Sequence, residues 1–352
     1  MDYKKILFIG LGGAGQRHLR IFYDLLPSTT EFYAFRSKKT TPLLNSDFSV
    51  NENKTIKEKY NLTIFDSIEE AFSIYPDLTI ISTPSSLHID PMLNALKINS
   101  AIFVEKPWSN HIADFKKFSK SVLLNKTPFH ISFQKRFNSK FQEIFLLIKN
   151  GQIGKILTAT FSVFSNVRVW HPYENWKDLY AVNSILGGGV LLTEIHEIDL
   201  AYWFFGLPKE VFCSGGNMSE EILDIEDTAN IILIYENFSI QINLCFMHKK
   251  QSRSFNIAGS RANVSWSDSK DELKIEFFNY EQESKYDDQV VLNDDMFYNQ
   301  ARKFLGDWDE NDTIKSLNSA SSSLAIVAAA KKSMNSGKKE KLSKELLIKE
   351  NQ

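Results

Sequence analysis

Gly10, Gly12 and Gly15 stand at G-x-G-x-x-G spacing within the run GLGGAG, between a short apolar stretch and an amphipathic one. The first glycine permits a tight turn, and the second lets a pyrophosphate approach the backbone. The third lets the following helix pack on the strand, and the helix N-terminus faces the phosphates. With Gly13 and Ala14 completing the turn, these residues imply a bound dinucleotide. A site that prefers NAD usually ends its second strand in Asp or Glu, which holds the ribose hydroxyls. Here the chain reads Phe35-Arg36-Ser37-Lys38-Lys39. A guanidinium, a hydroxyl and two ammonium groups suit a 2′-phosphate, so Arg36 and Ser37 favour NADP over NAD. The alternative is a basic surface turn.

Hydride transfer at a carbinol carbon needs a group that moves the hydroxyl proton and a cation or donor that steadies the oxygen. Lys106, in Glu105-Lys106-Pro107 directly after a strand, sits where parallel sheets bind ligands and can supply the second role. It can equally be an exposed lysine at a strand end. His196 follows the turn Gly187-Gly188-Gly189, which allows close backbone approach to a ligand. Its ordinary pKa suits proton exchange near neutrality, although a lone helix histidine is more often structural. The segment from Trp170 through His171 and Tyr173 to Lys177 offers aromatic faces and polar edges for a sugar ring, or fills a local core or subunit contact. Arg253 can anchor a carboxylate or phosphate, with a surface or interface arginine the more ordinary reading. Lys135 and Arg136 either reach the cleft or form a hinge. Glu194 and His196 are two residues apart and face different sides of a helix, and there is no HExxH pattern, so no metal is required.

These groups need elements to hold them. Residues 6–9, 32–35, 78–82 and 101–104 read as buried strands, and residues 16–26, 67–72, 88–96 and 114–123 as helices. That alternation predicts an N-terminal doubly wound parallel sheet, a dinucleotide-binding domain over residues 1–128. From there the pattern changes. Residues 158–165, 229–235, 239–246, 254–257, 263–266 and 273–278 alternate as strands of a large open, mostly antiparallel sheet. This gives an α/β second domain over residues 129–352 for substrate binding and oligomerisation. One helix, residues 191–205, interrupts the strands. Helices over 295–305 and 313–332 close the chain, and the last can pack back on the first domain. The basic tail, residues 331–349, reads as a solvated helix end and a disordered terminus.

The 352 residues suit two domains, and 43% hydrophobic with 24% charged residues is ample for packed cores. A net charge of −2 does not call for nucleic acid or an anionic membrane as the main partner. No apolar stretch has transmembrane length, and no signal-peptide pattern opens the chain. Cys213 and Cys245 form no CxxC pair. A reduced, cytoplasmic protein is the expectation.

Four stretches together resemble the glucose-fructose oxidoreductase / inositol dehydrogenase family, Gfo/Idh/MocA. They are GLGGAGQRH (residues 10–18), STPSSLH (82–88), EKP (105–107) and GGGVLLTEIHEIDLAYWFFG (187–206). The resemblance implies a Rossmann domain followed by an α/β domain whose sheet builds a homodimer or homotetramer. It implies an NAD(P)-dependent enzyme that oxidises or reduces a sugar, cyclitol or nucleotide/acidic sugar. It adds Thr83, Pro84, His88, Glu105 and Lys106 to the cofactor contacts and makes Lys106 functional. It assigns His196 the general acid/base role, with Lys106, Trp170, His171, Tyr173 and Thr193 also at the substrate. One departure stands out. Many relatives carry Asp four residues before this histidine, where this chain has Leu192, with Thr193 next. Thr193 in the acid's place, Asp199 orienting His196, and Asp199 as a structural partner within the helix all stay open. A non-catalytic dinucleotide sensor is the competing class. A cofactor oxidised and reduced within one turnover is a further enzymatic one.

Overall fold

The structure is a computed structural model that describes residues 3–37, 41–113, 115–279, 284–287, 290–342 and 347–348. Lys38, Lys39 and most of the basic tail after residue 342 lie outside the described residues.

The short apolar runs of the first third form β1 (Lys5–Ile9), β2 (Glu31–Phe35), β3 (Thr63–Phe65), β4 (Leu78–Ile81), β5 (Ala101–Glu105) and β6 (Phe129–Ser132). All pair in parallel, in the order β3-β2-β1-β4-β5-β6. Helices cover both faces, so β4 and β6 are buried along their whole length. The order reverses between β1 and β4. There the strand ends diverge and leave a crevice, and the glycine turn after β1 opens into it.

The second sheet holds β7 (Ile156–Asn166), β8 (Glu210–Gly216), β9 (Thr228–Ile234), β10 (Ser239–Cys245), β11 (Met247–Gly259), β12 (Ala262–Ser267), β13 (Glu272–Phe277), β14 (Lys285–Asp287) and β15 (Glu340–Lys341). Their order is β14-β13-β12-β11-β7-β10-β9-β8-β15. Only the β7–β10 pair is parallel. One face alternates inward, and Phe161 and Phe255 pack on Phe204 of the helix His196–Phe205. Among the described residues no helix is long and apolar enough to cross a membrane.

The division between the layers falls later than residue 128, because β6 completes the parallel sheet. Its four residues are too short to show a period, so sequence patterning alone leaves the border loose. The edge of β6 is closed by the last long helix, Glu310–Ser336. The Phe129 N–H donates to the Thr313 hydroxyl at 3.4 Å and the Ile131 N–H to the Ser316 hydroxyl at 2.8 Å. Farther along the same helix, Ser333 accepts the Cys213 N–H of β8 at 2.9 Å. The helix Asn293–Gly306 sends Phe297, Ala301 and Phe304 into the core formed by Leu19, Phe22 and Phe103. The closing segment is thus structurally part of both layers.

Also on β6, His130 sits among Phe103, Phe137, Phe304 and Trp308. Its Nε2 meets Gln300 Oε1 at 3.1 Å. Burial pushes its pKa down to about 3, more than the Gln300 bond raises it. The fold therefore prefers the neutral ring. Its contribution is complete above the unfolded value of about 6.5 and drains away as pH falls from there toward about 3, at up to about 1.4 kcal/mol per pH unit. Urea midpoints measured between pH 6.5 and 4.5 are expected to fall less steeply for His130→Gln than for wild type, by close to one proton. Equal slopes would refute the assignment.

Candidate active site

At the crevice the glycines divide their work. Gly10 has φ +92°, and a Cβ there would stand 3.0 Å from the Ser82 and Thr83 backbone. A side chain on Gly15 would strike the Gly10 carbonyl and the Ser82 hydroxyl, whereas Gly12 faces open space. Gly12 caps the helix Gly13–Leu25 with no side-chain bond to its first amides. A helix N-terminus beside the open room at Gly12 suits a pyrophosphate, so the residues present fit a nicotinamide dinucleotide. Arg36 follows β2 directly and donates to the Thr41 carbonyl at 3.2 Å, with Ser37 exposed beside it.

The loop after β4 is held from below. Pro84 starts the 3-10 turn Ser85–Leu87, and the Thr83 hydroxyl donates to the Leu87 carbonyl at 3.4 Å. His88 is fully buried, with Nδ1 2.9 Å from the Pro107 carbonyl and Nε2 2.7 Å from the Thr83 carbonyl. Both ring nitrogens are occupied by backbone, so His88 positions the two loops and has no polar atom left for a cofactor. Glu105 is corrected in the same way. One oxygen meets His18 Nε2 at 2.6 Å, and the other accepts the Lys106 N–H at 3.1 Å. Burial alone would raise this carboxyl, but the His18 bond and charge, with Lys106, hold it below its ordinary range. His18 lies inside GLGGAGQRH, yet only the fold shows that its ring crosses to β5.

Lys106 reaches the second domain. Its Nζ donates to the Thr193 carbonyl at 2.7 Å, and the Lys106–Pro107 peptide is cis. The helix expected over residues 191–205 is broken. Val190–Thr193 forms one turn, and His196–Phe205 begins anew. The Thr193 hydroxyl bonds back to the Gly189 carbonyl at 2.8 Å, and Glu194 is drawn out of line by Arg253. Helical spacing across the break therefore loses its meaning. His196 opens the second helix, 6% exposed. Its Nε2 lies 3.4 Å from the Gln134 amide nitrogen, and Nδ1 has no partner among the described residues. Burial first, then Lys106, Lys135 and Arg253, lowers its pKa well below the usual value. It is a neutral imidazole at neutral pH.

Among the described residues no carboxylate hydrogen-bonds His196. Thr193 contributes its carbonyl to Lys106. Asp199 is held by Arg136 through two bonds of 2.8 and 2.7 Å and receives the Ser323 hydroxyl at 3.2 Å. Its part is structural. The triple-glycine turn also has a packing role and not the expected ligand approach: added Cβ atoms would meet Ser85 at Gly187, the Tyr180 and Ala181 carbonyls at Gly188, and Glu226 at Gly189. Trp170 packs edge-on against Phe246 at 6.0 Å, and His171 stacks on Tyr173 at 5.2 Å. Tyr173 itself lies over Gly13.

The fold and the site define a two-domain protein whose first sheet is a Rossmann sheet of the dinucleotide-binding type. The family model for the oxidoreductase family's NAD-binding Rossmann fold matches residues 4–130, and that for its C-terminal alpha/beta domain matches residues 146–342. The chain belongs to the Gfo/Idh/MocA oxidoreductase family. It is 26% identical over 188 residues to an uncharacterized oxidoreductase of Streptococcus pneumoniae, covering 53% of this chain and 50% of that one. It is 24% identical over 188 residues to a 2,7-anhydro-N-acetylneuraminate hydratase of Mediterraneibacter gnavus, covering 53% and 49%. The matched stretch thus spans about half the length of these curated relatives. The fold is similar to that of the WlbA dehydrogenase of Bordetella pertussis, solved with NADH and UDP-GlcNAcA. The TM-score is 0.78 at 18% identity, covering 97% of this chain and 99% of that one.

Behind His196 lies a charged cluster. Arg253 Nη2 donates to Glu194 at 2.7 Å, and its Nε is 3.2 Å from Glu197. The Ser165 hydroxyl donates to the other Glu194 oxygen at 3.0 Å. Lys135, 8% exposed, is lowered by burial and then by Arg253. Burial raises Glu197 against the pull of Arg253 and Lys135. Arg253 is thus tied into an ion-pair cluster with Glu194 and Glu197, its side chain 18% exposed. Glu197 had no distinguishing sequence signal, since its partner lies far along the chain. Arg253→Met would strand two buried carboxylates and is expected to cost about 3–5 kcal/mol in urea unfolding. Adding Glu194→Gln and Glu197→Gln should restore a large part of that loss. If the single variant is as stable as wild type, the cluster does not hold these elements.

Proposed function

We propose that this protein moves a hydride between a nicotinamide cofactor, NADP in preference to NAD, and a hydroxyl or keto carbon of a sugar, cyclitol or nucleotide/acidic sugar. One observation carries the reading: Lys106, from the cofactor domain, bonds the Thr193 carbonyl of the second domain, and its charge acts on the neutral His196 three residues on. The bound cofactor supplies or accepts the hydride. Lys106 uses one N–H on the Thr193 carbonyl, leaving two to polarise a substrate oxygen. His196 exchanges the hydroxyl proton. Gln134 can meet its Nε2 with either end of its amide. With the oxygen turned in, Nε2–H is held, and Nδ1 keeps a lone pair for the proton.

Within that class we favour an acidic substrate. Arg253 and Lys135 are met by Glu194, Glu197 and Asp268, so the group left to pair with a substrate anion is the Lys106 ammonium, whose charge also acts on His196. The uronic acid nucleotide bound by the Bordetella dehydrogenase and the sialic acid derivative named for the hydratase agree with it. The hydratase also favours a second form of the reaction, in which the cofactor is oxidised and reduced within one turnover and nothing is added. Self-association through the open face of the second sheet completes the proposal.

Titration by nicotinamide fluorescence tests the cofactor. NADPH is expected to bind more tightly than NADH, and Arg36→Ala should weaken NADPH about tenfold or more while leaving NADH nearly unchanged. Tighter binding of NADH would refute the phosphate assignment alone. Binding of neither would refute the dinucleotide site itself, for the enzyme and the sensor alike. For the chemistry, His196→Gln should lower turnover of whichever acidic sugar the wild type accepts by about 100-fold or more, with cofactor affinity retained. Wild-type turnover in the oxidative direction should persist below pH 6, because the ring stays neutral there. An acid limb near pH 6.5 would contradict that.

A further inference from the structure

Gly13 is not one of the three glycines that G-x-G-x-x-G spacing demands, and the structure gives it its own reason. A Cβ at this position would come within 3.0 Å of both the Tyr173 hydroxyl oxygen and the Phe48 ring. Phe48 belongs to the first domain and sits in the left-handed region at φ 65°, with the Arg17 guanidinium 4.7 Å over its ring. Tyr173 belongs to the second domain. A segment far from the Rossmann sheet in sequence therefore crosses the crevice and ends on the first residue of the phosphate-facing helix.

The Tyr173 hydroxyl oxygen is buried beside the Gly13 amide, and its proton has no acceptor among the described residues. Burial, then the Glu174 charge, pushes its pKa up to about 12 against the pull of the Gly13 amide, so it stays a proton donor. Its ring is braced. His171 stacks on it at 5.2 Å with 14° between planes, and His171 Nδ1 bonds Glu174 at 2.8 Å. The segment is tied down as well. Arg168 and Lys177 both reach Glu221, at 3.3 and 3.6 Å, and the Arg168 guanidinium lies 5.5 Å over Trp176. A fixed donor without an acceptor thus stands beside the Gly13 amide at the helix start, next to the open room at Gly12. An anion in that room would accept its proton.

We propose that Tyr173 is a cofactor-clamping residue, whose hydroxyl donates to the pyrophosphate of a dinucleotide held on the Gly10–Gly15 turn. The second domain thereby retains the cofactor, and residues 170–177 act on the cofactor and not on a sugar ring. This rests on reading that turn as the dinucleotide site. Retention of this kind suits a turnover that returns the cofactor to its starting state.

The test compares the full-length wild type with Tyr173→Phe, which keeps the ring and its stack on His171. NADPH release is followed by stopped-flow fluorescence with an ADP-ribose chase, and ADP-ribose affinity is measured by calorimetry. The variant is expected to release NADPH about tenfold faster and to bind ADP-ribose about tenfold more weakly, because both ligands carry the pyrophosphate. Unchanged release and affinity would overturn the clamp and leave Tyr173 a packing residue. A loss confined to sugar KM would overturn it in favour of the substrate role. If the wild type itself binds neither NADPH nor ADP-ribose, the dinucleotide reading fails and takes the clamp with it. That result differs from a variant that merely matches a binding-competent wild type.

Discussion

The last strand of a parallel sheet must do something with its free backbone N–H groups, and here that constraint organises the molecule. The helix Glu310–Ser336 answers with hydroxyls, Thr313 and Ser316 accepting from β6. Because the same helix also bonds β8 through Ser333 and Asp199 through Ser323, closing one sheet's edge sets its position relative to the other. Asp199 then holds Arg136, directly beyond β6, and Gln134 two residues earlier touches His196. A need to satisfy an edge strand is thus passed, bond by bond, to the proposed proton-transfer group. Small hydroxyl side chains serve here better than long amides, because they let the helix approach the strand closely while still accepting.

Within that frame the site runs on unequal neighbours. A histidine at the start of a helix, beside three cations and without a carboxylate partner, is kept neutral by its surroundings. Relatives with an acid in this place can steady an imidazolium. This chain offers Thr193, which cannot ionise and instead gives its carbonyl to Lys106. The two halves of the site are therefore coupled through a backbone atom. Side-chain substitutions at Thr193 leave that atom in place, so its hydroxyl matters chiefly through the bond to Gly189 that helps end the short helix.

Much of this was legible in the residues. The glycine turn, the parallel alternation, six strands of the second sheet and the closing helices follow from local periodicity, and the structure has them, whereas β8 (Glu210–Gly216) was not read from the sequence. What was not legible depends on partners far along the chain. The break before His196 arises because Arg253 pulls on Glu194, and no helical period signals that. His18 and His88 read as motif letters, yet they are loop fasteners whose carbonyl and carboxylate partners come from other strands. The triple glycine suggested ligand approach on conformational grounds. Its space is taken by Ser85 of the first domain at Gly187, and by two carbonyls and Glu226 of its own domain at Gly188 and Gly189, because close packing makes the same demand for a missing Cβ.

That last ambiguity extends to the cofactor turn, where two kinds of glycine sit side by side. Gly10 and Gly15 are glycines because the strand, the loop after β4 and the helix crowd them. Gly12 is crowded by nothing, and the space above it is what a phosphate needs. Gly13 is closed in by the second domain. A spacing pattern treats all four alike, since it records only that a side chain is absent. The neighbours of the missing Cβ tell the reasons apart: backbone where the fold must close at Gly10 and Gly15, open room at Gly12, and at Gly13 the Phe48 ring and the Tyr173 hydroxyl, on which the proposed clamp rests.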